Sequence, residues 1–242
     1  MKTPAHQWYV VAAVSILMLI TAVIFAASHS RPAVSAGGEH VAAPVVPVPK
    51  DVAVKQPVDN FLEVDFMLRG YCYADSQFRD TEAAGGFGPS ENSAHKVTRD
   101  LPGDGLFLLA QPTEKTSFGG KPGMQLLLVN RTDDTLKFFA CDSRLNIIQE
   151  AQDQAGNWQP IEYLPSSFCG NSYHHVYLRP DYSWQFSAPR YRGTFATKLR
   201  FTMNLDDGSK LHSNEFKGSV NLAQFTTKQG HQATNIMDPY LD

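Results

Sequence analysis

The densest run of chemically capable side chains in the chain is Cys169-Gly170-Asn171-Ser172-Tyr173-His174-His175. A Cys thiolate activated by a His base is a nucleophile, and His with Cys or carboxylate binds zinc. Nucleophile and base meet in space and not at a set chain separation, so the spacing of Cys169 and His175 is no catalytic signature. On a strand, His174 and His175 point to opposite faces, and both would bind one ion only where the chain bends. Asp142 and His212 are the further ligands that such a zinc site would call on. The plainer expectation is a turn feeding a strand, with one histidine exposed, the other packed, and neither metal nor cofactor held.

The other residues suited to recognition are aromatic. Trp158, Tyr163, Phe168, Tyr173, Trp184 and Tyr191 fall in or near successive hairpins, and exposed rings stack on sugar faces or grip an extended peptide. Trp184 alternates with Tyr182 and Phe186, which places it in the core, whereas Trp158 adjoins the Gly156-Asn157 turn and is expected at the surface. The expected ligand contacts are therefore Trp158, Tyr173, His174, His175 and Tyr191. Asp206-Asp207-Gly208 reads as a hairpin turn before a calcium site. H-E-x-x-H, G-x-S-x-G, a phosphate-cradling glycine loop and an EF-hand loop are all missing from the sequence. A hydrolase or enzyme accessory domain using the Cys169–His175 region stays as the alternative to a non-enzymatic binding module.

Short strands must position these residues. Leu62, Val64, Phe66 and Leu68 alternate with Glu63, Asp65 and Met67, the period of a half-buried strand. A long aperiodic stretch follows from Arg69 to Gly105, a length that marks a functional or a mobile loop. Compact apolar runs at Leu106–Ala110 and Met124–Val129 come next, then alternation at Leu136, Phe138 and Ala140. Asn146–Ala151 and Trp158–Leu164 flank Gly156-Asn157, which suits a hairpin turn. Val176 and Leu178, then Tyr182–Phe186, precede the clearest strand, where Leu199, Phe201, Met203 and Leu205 share one face. Asp207-Gly208 turns the chain, and Gly218–Leu222 closes the series. The expected fold is an all-β antiparallel sandwich of immunoglobulin-like type over residues 59–225, with a tail over 226–242.

With 15 Pro, 17 Gly and 11% aromatics, the composition agrees with strands and turns. The formal charge of -3 and the lack of a basic stripe exclude nucleic acid as an expected partner. Ahead of the domain, WYVVAAVSILMLITAVIFAA (8–27) is apolar all round, and about 20 residues at ~1.5 Å each span a ~30 Å hydrocarbon core. We read it as an uncleaved signal anchor, longer than the ~7–15-residue apolar stretch of a cleaved signal peptide. Residues 1–7 then face the cytoplasm, since Lys2 precedes the helix, and the rest lies outside, periplasmic or at the cell surface. The Pro-, Ala- and Val-rich stretch 28–58 reads as an extended tether.

Three cysteines outside the cytoplasm normally leave one pair bonded. Cys141–Cys169 closes a ~28-residue loop worth on the order of 3–4 kcal/mol in the chain-entropy model. Cys72–Cys169 is its rival, and three free thiols the remaining case.

The run PSSFCGNSYHHVYLRPDYSWQF, followed by APRYRGTFATKLRF, resembles the late strands of uncharacterised bacterial extracytoplasmic proteins with an immunoglobulin-like sandwich. The resemblance extends from Gly123 through Phe201, about a third of the chain. It implies a fold and a location, and brings no catalytic residue. The partners expected are the membrane and a protein or glycan of the cell envelope.

Overall fold

The computed structural model describes residues 60–231 and 238–241. Segments 8–27 and 28–58, read above as anchor and tether, lie outside the described residues. Among the described residues, no helix is long and apolar enough to cross a membrane.

Over the described residues the fold is all-β, interrupted only by two short 3-10 turns, Gly170–Ser172 and Leu222–Phe225. The principal strands in chain order are β1 (Gly105–Phe118), β2 (Lys121–Arg131), β3 (Leu136–Cys141), β4 (Ile147–Gln152) and β5 (Trp158–Pro160). They are followed by β6 (Tyr173–Leu178), β7 (Tyr182–Pro189), β8 (Phe195–Asn204), β9 (Lys210–His212) and β10 (Phe216–Val220). One sheet runs from the short strand His95–Lys96 through β7 and β2 to β1. A second is built on β8, flanked on one edge by β9 and β10 and on the other by β4 and then β5. In a third, β3 lies between β6 and Arg144–Leu145.

All three sheets supply one core, an arrangement that fits a β-sandwich. Leu126, Leu128, Trp184 and Phe186 come from the first sheet, Ile147, Phe201 and Met203 from the second, and Phe138, Val176 and Leu178 from the third. Trp184 is fully buried, meets Phe138 edge-on with centroids 5.9 Å apart, and donates its indole N–H to the Asp75 carbonyl at 3.0 Å. Burying such a ring removes roughly 150–250 Å² from water, on the order of 4–6 kcal/mol before entropy is counted. The unbroken apolar run of β2 has a separate cause. Leu126 and Leu128 face the core, while Leu127 and Val129 pack with Leu101 under Val97, Phe107 and Leu109.

The structure departs from the sequence expectation at two places. The segment 61–68 is not one strand. Leu62 bridges Tyr191, Met67 bridges Lys228, and only Leu68–Arg69 pairs as a strand, parallel to Glu162–Tyr163. With three partners the chain bends at Asp65-Phe66, the alternation changes phase, and Met67 becomes the buried residue. The expected Cys141–Cys169 disulfide is likewise not formed, and all three thiols are free. Phe138 and Ala140 point into the core, so Cys141 points to the opposite face, away from Cys72, which is a core residue. Cys169 precedes the Gly170–Ser172 turn, whose Ser172 carbonyl accepts the Asp142 N–H.

The long stretch from Arg69 to Gly105 is packed against the sandwich. Cys72 and Ala74 enter the core, and the Leu145 N–H donates to the Cys72 carbonyl at 2.9 Å.

Candidate functional site

Strand β6 is the edge of its sheet, and its alternation divides the residues of interest. His174, Val176 and Leu178 point inward, while Tyr173, His175 and Tyr177 point out. On β3 the outward positions include Phe139, which lies opposite His175. The result is a row of rings. Phe139 stacks on Tyr173 with centroids 5.5 Å apart and planes 13° from parallel, and meets the His175 ring edge-on at 5.9 Å. Phe78, from the long loop, stands edge-on to Tyr177 at 6.3 Å. Phe78 and Phe139 are exposed, as is Phe168 nearby in sequence to Tyr173.

The loop also closes the free edge of β6. The N–H of His175 donates to Asp80 Oδ2, that of Tyr177 to Ser76 Oγ at 3.1 Å, and that of Arg179 to Gln77 Oε1 at 2.9 Å. An exposed strand edge offers every second N–H to another chain, and here three successive ones are taken by side chains. The outer surface of the sheet is thereby left open while its edge is covered.

His175 sits between two carboxylates. Nδ1 is 3.4 Å from Asp80 Oδ2 and Nε2 is 3.7 Å from Asp206 Oδ2. Asp80 is buried; burial pushes its carboxyl up, but the N–H groups of His175 and Glu82 and the nearby His175 ring outweigh this and hold it below the usual carboxylate range. Donor atoms of Asp80, Glu82 and His175 all lie within 4.8 Å of one another. The cluster borders a cleft of about 320 Å³ whose walls include Phe78, Phe87, Ser143 and His174.

His174 has a structural role. Its ring stacks on Phe87 at 3.6 Å, Nε2 accepts the Ser143 N–H at 2.9 Å, and Nδ1 lies 3.3 Å from the His175 carbonyl. Burial pushes its pKa down, so the neutral ring is favoured. Ser143 and Asp142 form the two-residue turn after β3, both at positive φ (63° and 49°), the geometry of a type I′ hairpin. His174, together with Gly88, which donates to Asp142 Oδ1 and accepts from Ser143 Oγ, secures that strained turn.

The remaining sequence candidates are elsewhere. Trp158 is half-buried, with the Arg200 guanidinium 4.2 Å above its ring, so the surface that a ligand would stack on is already taken. His212 belongs to the β8–β9 pair and contacts Thr202 Oγ1 at 2.9 Å. Asp142 serves the hairpin turn. The partners of the two adjacent histidines are other groups than Cys169, which is half-buried at the start of the 3-10 turn. Tyr191 is buried and donates to Glu162 Oε1 at 2.7 Å.

That last contact belongs to a cluster the sequence did not single out. Glu162 is almost wholly buried. Its Oε1 also accepts from Tyr71 Oη at 2.9 Å and Gln149 Nε2 at 3.2 Å, and its Oε2 from the Gln149 N–H at 2.8 Å. Burial pushes the carboxyl up to about 7 against the pull of these hydrogen bonds. The only sequence signal was a Glu flanked by Ile161 and Tyr163 in an otherwise apolar stretch.

The chain matches no protein-family model, no curated protein and no solved structure.

Proposed function

We propose that the chain is a binding module of the cell envelope: an immunoglobulin-like sandwich held outside the cytoplasm by segment 8–27 and the tether 28–58, which takes a glycan on the outer face of β3 and β6. The observation that carries this reading is the ring row on that face. Phe139 and Tyr173 stack with nearly parallel planes, and His175 and Asp206, both reached by solvent, stand beside this platform as hydrogen-bonding groups. Sugar rings present a C–H face and a rim of hydroxyls, which such a surface complements. A protein partner is the second reading, favoured by Phe78 and Phe168, which are 46% and 51% exposed and extend apolar surface beyond the platform. An enzyme built on Cys169–His175 is supported less, because the groups beside the ring nitrogens of the two histidines are Ser143, the His175 carbonyl, Asp80 and Asp206 and not Cys169.

The test is a thermal-shift screen of the purified chain against cell-wall glycan fragments and extended peptides. Binding to the native state raises the melting temperature by mass action. A shift with a glycan supports the first reading and a shift with peptides alone the second.

A further inference from the structure

The geometry points to a divalent transition-metal site, of zinc type, formed by Asp80, Glu82 and His175. It does not rest on the glycan reading, with which it shares His175 and Asp206. Three observations carry it. The first is the donor set, one imidazole and two carboxylates, whose ligand atoms converge within 4.8 Å. Imidazole with carboxylate suits zinc and its neighbours, whereas magnesium and calcium prefer oxygen alone.

The second is the spacing. With bonds of about 2.0–2.1 Å, two ligand atoms of a tetrahedral zinc lie about 3.3–3.4 Å apart. His175 Nδ1 and Asp80 Oδ2 are 3.4 Å apart, too long for a good hydrogen bond and close to that tetrahedral edge. Asp80 Oδ2 accepts the His175 N–H and retains a second lone pair.

The third is the surrounding shell. Asp80 Oδ1 accepts the Glu82 N–H at 3.0 Å, so both Asp80 oxygens are oriented by backbone donors. On the far side of the imidazole, Asp206 Oδ2 faces Nε2, and Asp206 Oδ1 is itself held by the Phe139 N–H at 3.2 Å. Carboxylate, imidazole and metal in line is the order by which proteins orient a metal-binding histidine. Asp80 is buried on the loop side, His175 is half-buried on β6, and Glu82 is exposed, so the ion would enter from solvent beside Glu82 and keep an open position there. It would also tie the 76–82 segment to β6 at the point where the side chains cap the strand edge.

The test is a titration of the full chain, stripped of metal, with Zn²⁺ against a chromophoric chelator, with Mg²⁺ and Ca²⁺ in parallel. The expected result is one Zn²⁺ per chain, with Mg²⁺ and Ca²⁺ unable to displace it. His175→Ala should abolish binding. Glu82→Gln alters an exposed side chain and so leaves folding intact; it should weaken binding at least tenfold, and Asp206→Asn should weaken it roughly ten- to hundredfold. Absence of zinc binding in the wild-type chain overturns the site, as does binding unchanged by both His175→Ala and Glu82→Gln. Binding lost in His175→Ala but unchanged in Glu82→Gln overturns the three-ligand set.

Discussion

Replacing Glu162 by Gln turns the buried carboxyl into a measurable dependence of stability on pH. The folded protein binds this proton more tightly than the unfolded chain does, with a carboxyl pushed up to about 7 by burial against an ordinary value of 4.5. Unfolding therefore releases the proton between these values. The stabilisation is complete below about 4.5 and lost as pH rises through about 7. Between about pH 5 and about pH 8 the change from this one group is about 2–3 kcal/mol, a sizeable part of a typical ~5–15 kcal/mol total. In Glu162→Gln the amide stays neutral, and its NH₂ must take the place of the oxygen that accepts the Gln149 N–H, costing about 1–3 kcal/mol at any pH. Urea unfolding of both proteins across this range is the assay. The difference between their stabilities should change by about 2–3 kcal/mol, with wild type gaining as the solution is acidified. Other titrating groups, including His174, cancel in that difference. Parallel profiles for the two proteins would refute the reasoning.

Three further outcomes are expected. Thiol titration of the unreduced, denatured chain should find three free thiols, with Cys169 the first to react in the native state because Cys72 and Cys141 are buried; a disulfide-linked peptide would contradict this. Gly193→Ala should destabilise by several kcal/mol, since a Cβ there collides with the Val220–Asn221 backbone, and thermal unfolding reads the loss. Ser76→Ala leaves the Tyr177 N–H without its acceptor and should cost about 1–3 kcal/mol, accompanied by faster amide exchange at Tyr177.

The sheet interior was legible because burial imposes a period. Leu199, Phe201 and Met203 alternate in β8 as written, and Trp184 was recognisable from its place between Tyr182 and Phe186. Thr202 is buried on the other face of β8 for a reason invisible to hydropathy: its hydroxyl donates to Glu150 Oε2 at 2.7 Å. The turn after β3 was missed because Asp142-Ser143 lacks the usual glycine, and its left-handed backbone is held by His174 and Gly88 from distant parts of the chain. The same distance hid the site. Asp80 and His175 are 95 residues apart, so nothing local in the aperiodic loop announced that its polar side chains would line up along β6. Trp158 was expected at the surface beside the Gly156 turn, and only the pairing of β8 with β4 and of β4 with β5 brings Arg200 over its ring.

The central claim is that the Phe139–Tyr173 platform is the recognition face. Isothermal titration of the chain with the glycan fragment giving the largest thermal shift tests it most directly, with Tyr173→Ala, Phe139→Ala and Trp158→Ala in parallel. Our account predicts binding that falls at least tenfold in the first two variants and stays within twofold of wild type in Trp158→Ala. Glycan binding that survives loss of both platform rings, or that disappears only with Trp158, would contradict it.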